Sequence, residues 1–355
     1  MERLEELRKR IDQIDDNILR LLNERASITL EIGALKSKKA KPSFSPYREA
    51  QVYARLEKTN KGPLQDEAIK AIYREIMSAA LSLQNPPKVA YLGPEATFTH
   101  LAALGKFGKS LEYAECSSIG DVFTEVERGR ADYGVVPIEN STEGAVNYTL
   151  DMFIDSELRI CSEAYLPIEQ NLLSKNPRID SVKKVYSHIQ VFPQCRIWLE
   201  KNLPKAALIP CASTTAAAME AAADEESAAI ASAVAAEKYN LNILARSIED
   251  SAHNITRFLI IGKQDVERTG NDRTSIVFSM KDKIGALHDV LMPFKEKGIN
   301  LTKIESRPSK KKAWKYYFFV DLEGHLEDVK VRQALAKLEK NCTFFKVLGA
   351  YPIGK

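Results

Sequence analysis

The chain has 355 residues, 45% of them hydrophobic and 28% charged, with 51 basic residues against 48 acidic ones for a net charge of +3. That length predicts two or three globular domains, and so even a charge balance gives no general attraction to nucleic acid or to an anionic membrane, so any basic site is local. Five cysteines, at positions 116, 161, 195, 211 and 342, form no CxxC pair, which argues against a disulfide framework or a zinc site and for reduced thiols in the cytoplasm.

The N-terminal stretch MERLEELRKRIDQ has no apolar segment of the kind a signal peptide needs. Leu4, Leu7, Ile11, Ile14, Ile18 and Leu21 recur at spacings of three and four, and Ile28, Ile32 and Leu35 continue the stripe. This predicts one long helix to about residue 38, long enough to suggest packing against a second chain. Ser45-Pro46 opens a second helix as a cap with proline at the first position. Gly62-Pro63 breaks it, and a third helix is expected from about 64 to 84. Fewer than 90 residues in three helices make a thin core, which dimerisation would remedy.

After Asn85-Pro86-Pro87 the pattern changes. Strands are expected at 88–93, 133–138, 182–187 and 257–261, alternating with helices near 97–107, 118–129, 191–202, 214–223 and 231–239. Such alternation predicts an α/β domain with a mainly parallel sheet. The longest low-polarity stretch, 228–236, is too short to cross a bilayer. From residue 273 the order reads strand, helix, strand, strand, helix, strand, a βαββαβ unit of α+β class. The expected divisions are 1–85, 88–264 and 273–355.

Arg25 and Lys36 lie eleven residues apart, which puts them on nearly one helical face and roughly 16 Å apart along the axis. Long side chains from those positions can converge on a small dianion. Arg48 enters at the start of the second helix beside Glu49, and Arg8 points about 100° away from Arg25. On periodicity alone a solvated basic face is the reading that wins. In the second region GVVPIENSTEGAV (134–146) delivers Glu139, Asn140, Ser141 and Thr142 to the end of a strand, where clefts form in α/β folds. Ser213-Thr214-Thr215 precedes an Ala-rich helix and reads as an N-cap, or as a carboxylate site at a helix N-terminus.

The segments LRKRIDQID (7–15), LLNERASITLEIGALK (21–36), PYREAQV (46–52) and IYREIMSAALSLQ (72–84) resemble the all-helical chorismate mutase family, an intertwined three-helix dimer. That resemblance implies that Arg25 and Arg48 hold substrate carboxylates and that Arg8 reaches into the partner's site. It gives Lys36 and Gln84 the ether oxygen and Glu49 a substrate hydroxyl. The reaction is a pericyclic rearrangement, which needs charge stabilisation rather than a nucleophile. Ala80 stands where relatives often place Ser.

The segments GPEATFTH (93–100), GVVPIENSTEGAV, SHIQVFPQC (187–195), STTAAA (213–218), AAIASAVAAEKYNL (228–241) and NITRFLII (254–261) resemble prephenate dehydratase. The implied fold is a two-lobed α/β clamp like the bacterial solute-binding proteins. The implied chemistry is decarboxylation of prephenate with loss of the ring hydroxyl, Thr256 acting as the proton donor. Asn140, Ser187, Gln194 and Glu139 would orient the substrate and assist. Ser213, Thr214 and Arg257 are the candidates for its carboxylates. Ala96 and Ile189 replace a Gly and a Pro common in these motifs.

The last region is similar to the ACT domain, which binds amino acids between two copies. In that family GAL (Gly285, Ala286, Leu287) and ESRP (Glu305, Ser306, Arg307, Pro308) form a phenylalanine site, and here His288 replaces the usual Val. Together the resemblances imply conversion of chorismate to prephenate and then to phenylpyruvate, with feedback inhibition by phenylalanine. No cofactor and no metal are implied, and a homodimer or a dimer of dimers is expected. An alternative keeps only the dehydratase, with the helical region as a regulatory scaffold.

Overall fold

In the computed structural model, which describes residues 2–37, 44–251, 253–309 and 315–354, the N-terminal stripe forms a single helix, α1 (Glu2–Ser37). Residue 38, its expected end, lies outside the described residues. Helix α2 (Pro46–Thr59) begins at Ser45, whose hydroxyl accepts the Arg48 N–H, with Pro46 at the first position where no N–H is needed. Helix α3 (Asp66–Ser82) follows the Gly62-Pro63 break. Within this one chain the apolar stripe of α1 is left open: Ile11 is 56% exposed and Ile18 49%. These helices and the short segment Lys106–Glu112 form one of two compact units, Met1–Lys88 with Lys106–Glu112. The segment is tied to α3 by the Lys109 N–H on Glu75 and the Ser110 N–H on Ser78, at 3.0 and 3.1 Å. Gly108, at φ 76°, lies so close to Ser78 that a Cβ there would stand 2.4 Å from its Cβ.

The second unit comprises Val89–Gly105 and Tyr113–Lys355. Its first sheet runs, in spatial order, Glu112–Cys116, Lys88–Leu92, Tyr133–Asn140, Ile255–Gly262 and Arg159–Pro167. A second sheet runs Asn242–Ala245, Asn171–Ser174, Ser227–Ala231, Lys184–His188 and Ala207–Cys211. The chain passes from the first sheet to the second after Pro167 and returns before Ile255, giving two α/β lobes. Both sheets are mixed rather than mainly parallel. The returning strand Ile255–Gly262 enters antiparallel to both of its neighbours, and Asn171–Ser174 is antiparallel to both of its own. The strand Ser227–Ala231, sequence SAAIA, is wholly buried but Ala-rich, so its composition carries little strand signal. The helix expected over 191–202 is broken at Cys195 into Val191–Gln194 and Arg196–Asn202. Asp250 enforces the break: its carboxylate accepts the N–H groups of Ile197 and Trp198, and its own N–H donates to the Gln194 carbonyl. No helix among the described residues is long and apolar enough to cross a membrane.

Residues 272–352 form the expected βαββαβ unit, with strand order Leu301–Pro308, Tyr316–Glu323, Asp272–Met280, Cys342–Pro352 and helices Ala286–Lys297 and Val329–Lys340 covering one face. The other face shares a core with the first lobe, Val277, Phe319, Leu348 and Tyr351 packing among Ile160, Leu259 and Ile261. Gly349 is placed so that a Cβ would meet the Ile160 carbonyl oxygen at 2.3 Å, so only glycine allows the two backbones to approach this closely.

A buried ionic cluster spans the same junction. Arg257 is 6% exposed and donates to Glu163 at 2.8 Å, to Asp321 and to the Tyr351 hydroxyl at 3.0 Å. Arg273 also pairs with Glu163, and Ser275 donates to Asp321. Burial opposes charge on Arg257, yet the surrounding Tyr351, Asp321 and Glu163 hold its pKa above the ordinary value. Burial first, then Asp321, pushes the Tyr351 phenol well above its own. Replacing Arg257 by Met would leave Asp321 without a counter-ion and Glu163 with Arg273 alone in a buried junction. We expect Arg257→Met to lower stability by about 3–5 kcal/mol, read as a shift in the urea midpoint of this unit, and a loss below about 1 kcal/mol would show that the junction does not depend on the cluster.

Candidate active sites

The helical unit encloses a cavity of about 450 Å³. Five basic side chains line it, Arg25, Lys36, Arg48, Arg74 and Lys106, against two acidic ones, Glu24 and Glu49. Arg25 and Lys36 come from one face of α1, as their spacing predicts. Arg48 and Glu49 come from the first turn of α2, held by the Ser45 cap. Burial, and then the nearby Arg48 and Arg55 charges, lower the Arg25 pKa from its ordinary value although Tyr73 opposes them. The excess of basic over acidic side chains on the wall favours an anion. Gln84 lines the cavity from just beyond α3 and donates through Nε2 to the Ala80 carbonyl at 3.2 Å. It fits because residue 33 of α1 is glycine: a Cβ there would stand 2.6 Å from Gln84 Oε1. Ala80 is also on the wall and brings no hydroxyl. Arg8 does not line this cavity. It is exposed and pairs with Glu5 on its own helix at 3.0 Å. The sequence reading missed Arg74, Lys106 and the aromatic wall of Phe44 and Phe107, because no local pattern places residues 106 and 107 against residues 44 to 49.

In the second unit the strands Tyr133–Asn140 and Ile255–Gly262 pair so that Asn140 stands opposite Thr256 and Glu139 opposite Arg257. Strand alternation then sends these two pairs to opposite faces of the sheet. On one face the Asn140 amide nitrogen donates to Thr256 Oγ1 at 2.8 Å and to Asn254 Oδ1 at 2.7 Å. Asn254 in turn donates to Gln194 Oε1 at 2.9 Å. The Asn140 carbonyl oxygen accepts the Thr142 N–H and hydroxyl and the Glu143 N–H from the turn that follows, so the amide orientation is determined by its partners. Because Thr256 Oγ1 already accepts a hydrogen bond, its own proton is left to donate elsewhere. The structure thus brings Asn140, Thr256 and Gln194 into one network. It adds Asn254, two residues before Thr256 on the same face, which the sequence reading passed over although it lies in the quoted NITRF run.

The other pair faces the C-terminal sheet. Arg257 sits in the buried cluster, and Glu139 has Lys303 Nζ at 2.9 Å and Arg257 Nη1 at 4.0 Å. The structure therefore does not place Glu139 or Arg257 beside Thr256. Ser187 is wholly buried in the second sheet and donates to the Ile230 carbonyl at 2.9 Å. Ser213 caps the helix Thr214–Ala223 by accepting the Ala216 N–H at 3.0 Å, and Thr214 is buried in its first turn. Gly93-Pro94 is a cis peptide, and Ala96, where a Gly was noted as common, has φ 71°. Its N–H donates to His100 Nδ1 at 3.2 Å, which fits a His100 pKa lowered by burial.

In the C-terminal region Gly285 is the N-cap of Ala286–Lys297 at φ 78°, a left-handed conformation that glycine adopts without strain. Ala286 is buried and Leu287 exposed, and His288 is exposed with Nδ1 3.5 Å from Asp289. Glu305, Ser306, Arg307 and Pro308 lie on the edge strand Leu301–Pro308, which alternates half-buried and exposed positions. Glu305 and Arg307 are on the half-buried side, with Arg307 held by Asp151 at 3.1 Å, and Ser306 and Pro308 are exposed.

Three family models match the chain in turn. The chorismate mutase type II family model matches residues 7–85, the prephenate dehydratase model residues 89–266 and the ACT domain model residues 274–340. The bifunctional chorismate mutase/prephenate dehydratase of Aquifex aeolicus is 56% identical over 356 residues, covering 99% of this chain and 98% of its own length. That of Pseudomonas aeruginosa is 44% identical over 357 residues, with 99% and 98% covered. Among solved structures, the prephenate dehydratase of Arthrobacter aurescens in complex with L-Phe is 36% identical, covers 75% of this chain and 89% of its own, and superposes with a TM-score of 0.69. With near-complete relatives at this identity and all three family models in order along it, the chain belongs to the bifunctional chorismate mutase/prephenate dehydratase family.

Proposed function

We propose that the chain converts chorismate to prephenate in its helical unit and prephenate to phenylpyruvate in its two-lobed α/β part, with phenylalanine as feedback inhibitor through the C-terminal region. The observation that carries the first step is the convergence of Arg25, Lys36, Arg48, Glu49 and Gln84 on one cation-rich cavity. A dianionic substrate there is held at its carboxylates by Arg25 and Arg48. Lys36 and Gln84 meet the ether oxygen, where negative charge develops as the bond breaks. For the second step, the Thr256 hydroxyl, polarised by the Asn140 amide, protonates the leaving hydroxyl, which departs as water, and takes a proton back from solvent, while carbon dioxide departs and the ring becomes aromatic. The open apolar stripe of α1 is the dimer seam, and Arg8 crosses it to the partner's cavity. The enzyme is cytoplasmic on this reading.

The direct test feeds the purified protein chorismate and follows chorismate, prephenate and phenylpyruvate, with and without phenylalanine. Conversion to phenylpyruvate, slowed by phenylalanine, is expected. Chorismate left untouched while added prephenate is consumed would reduce the helical unit to a scaffold. Arg48→Ala should lower chorismate turnover on the order of 10²- to 10³-fold and spare prephenate turnover. Thr256→Val should do the reverse, by a factor of about 10² to 10⁴.

Gly33→Ala separates stability from catalysis. It removes a mid-helix glycine, worth about 1 kcal/mol of helix propensity, but pushes Gln84 off its position. Chorismate turnover should drop about 10- to 100-fold without a lower melting temperature, and unchanged turnover would remove Gln84 from the site.

The shared dimer is checked by mixing. Arg8→Ala and Arg25→Ala proteins should each be poor mutases alone. Unfolded and refolded together, they should regain activity, since a mixed dimer holds one site with both arginines; no recovery would mean that Arg8 does not act in the partner's site, and a fully active Arg8→Ala protein would place it outside the catalytic machinery.

A further inference from the structure

The mutase cavity contains a charge that its reaction does not obviously want. Glu49 puts a carboxylate, 8% exposed, into a cavity built for a dicarboxylate substrate. Left alone it would repel that substrate and carry a large desolvation cost. Lys106 stands against it. The Lys106 ammonium donates to Glu49 Oε2, with side-chain exposures of 16% for Lys106 and 9% for Glu49, so solvent screens the pair little. Lys106 Nζ also lies 5.9 Å from the centroid of the Phe44 ring, which packs on Phe107 at 5.0 Å. The backbone just after it is pinned to α3 through Glu75, Ser78 and the close approach of Gly108. The ammonium is therefore delivered to a fixed place by a rigid attachment.

From this geometry we infer that Lys106 is a positioning residue of the mutase reaction: it neutralises Glu49 and holds its carboxylate at the substrate, so the mutase site is completed by a residue from outside the stretch that matches the mutase family model. In sequence Lys106 falls within residues 89–266, matched by the dehydratase model, whereas the mutase model ends at residue 85. In space it belongs with the helical unit. The inference rests on the mutase reading of the cavity. Its chemistry is specific: the role needs a positive charge at this point and acts only through Glu49.

The test uses the full-length protein and measures chorismate and prephenate turnover separately for Lys106→Met, Lys106→Arg, Glu49→Gln and the Lys106→Met/Glu49→Gln pair. Met keeps the aliphatic stem and loses the charge, so a packing role predicts little effect of Lys106→Met. A charge role predicts a fall in kcat/KM for chorismate of about 10- to 100-fold, largely restored in Lys106→Arg, with prephenate turnover within about twofold of the parent. Since Lys106 acts through Glu49, adding Lys106→Met to Glu49→Gln should change chorismate kcat/KM by less than about threefold. Chorismate turnover within twofold of the parent in Lys106→Met, an equal fall in both reactions, or full additivity in the double variant would each overturn the inference. A parent protein that leaves chorismate untouched would instead overturn the mutase reading itself.

Discussion

One strand, Ile255–Gly262, sets the geometry of the dehydratase half. It lies between Tyr133–Asn140 and Arg159–Pro167, antiparallel to both, and its neighbouring residues Thr256 and Arg257 point to opposite faces. Thr256 joins the amide network of Asn140, Asn254 and Gln194. Arg257 locks the same strand to the C-terminal sheet through Glu163, Asp321 and Tyr351. One peptide bond separates the proposed proton donor from the anchor. A buried guanidinium shared between two carboxylates tolerates little displacement, because moving it leaves buried charge incompletely paired and without water. That rigidity fixes the strand, and the strand fixes Thr256. It also explains why the dehydratase-like and C-terminal regions, distinct in sequence texture, share one core.

The helical unit solves a different problem. Three helices bury too little to be rigid alone, and the apolar side of α1 stays open within one chain. Its cavity is held by capping and by small residues: the Ser45 cap sets Arg48 and Glu49, and Gly33 makes room for Gln84. Burial, and then the neighbouring cations, lower the Arg25 pKa, and five basic side chains against two acidic ones leave the cavity in want of an anion. A dicarboxylate supplies that charge, and a pericyclic reaction asks for little else than shape and electrostatic fit.

Most helices, the βαββαβ order and the pairs of residues that share a face were legible in the sequence, because periods of 3.6 and 2 and the cap residues at Ser45 and Ser213 are local properties; the helix Asn147–Asp155 and the break at Cys195 were not. So was the convergence of Arg25 and Lys36. The mixed sheets were not, since strand direction depends on which distant strand pairs with which. Nor were the short or Ala-rich strands, whose burial rather than composition makes them strands. Glu139 and Arg257 show the same limit at a single residue. Both sit in motif segments beside Asn140 and Thr256, but the pairing register turns them toward the C-terminal sheet. Which chemistries this chain carries was determined by its sequence alone, because the reacting groups are strung along it in recognisable local motifs. Which charges meet, Lys106 with Glu49 and Arg257 with Asp321, was decided only by the tertiary structure, because an ion pair depends on distance in space and these partners lie 57 and 64 residues apart along the chain.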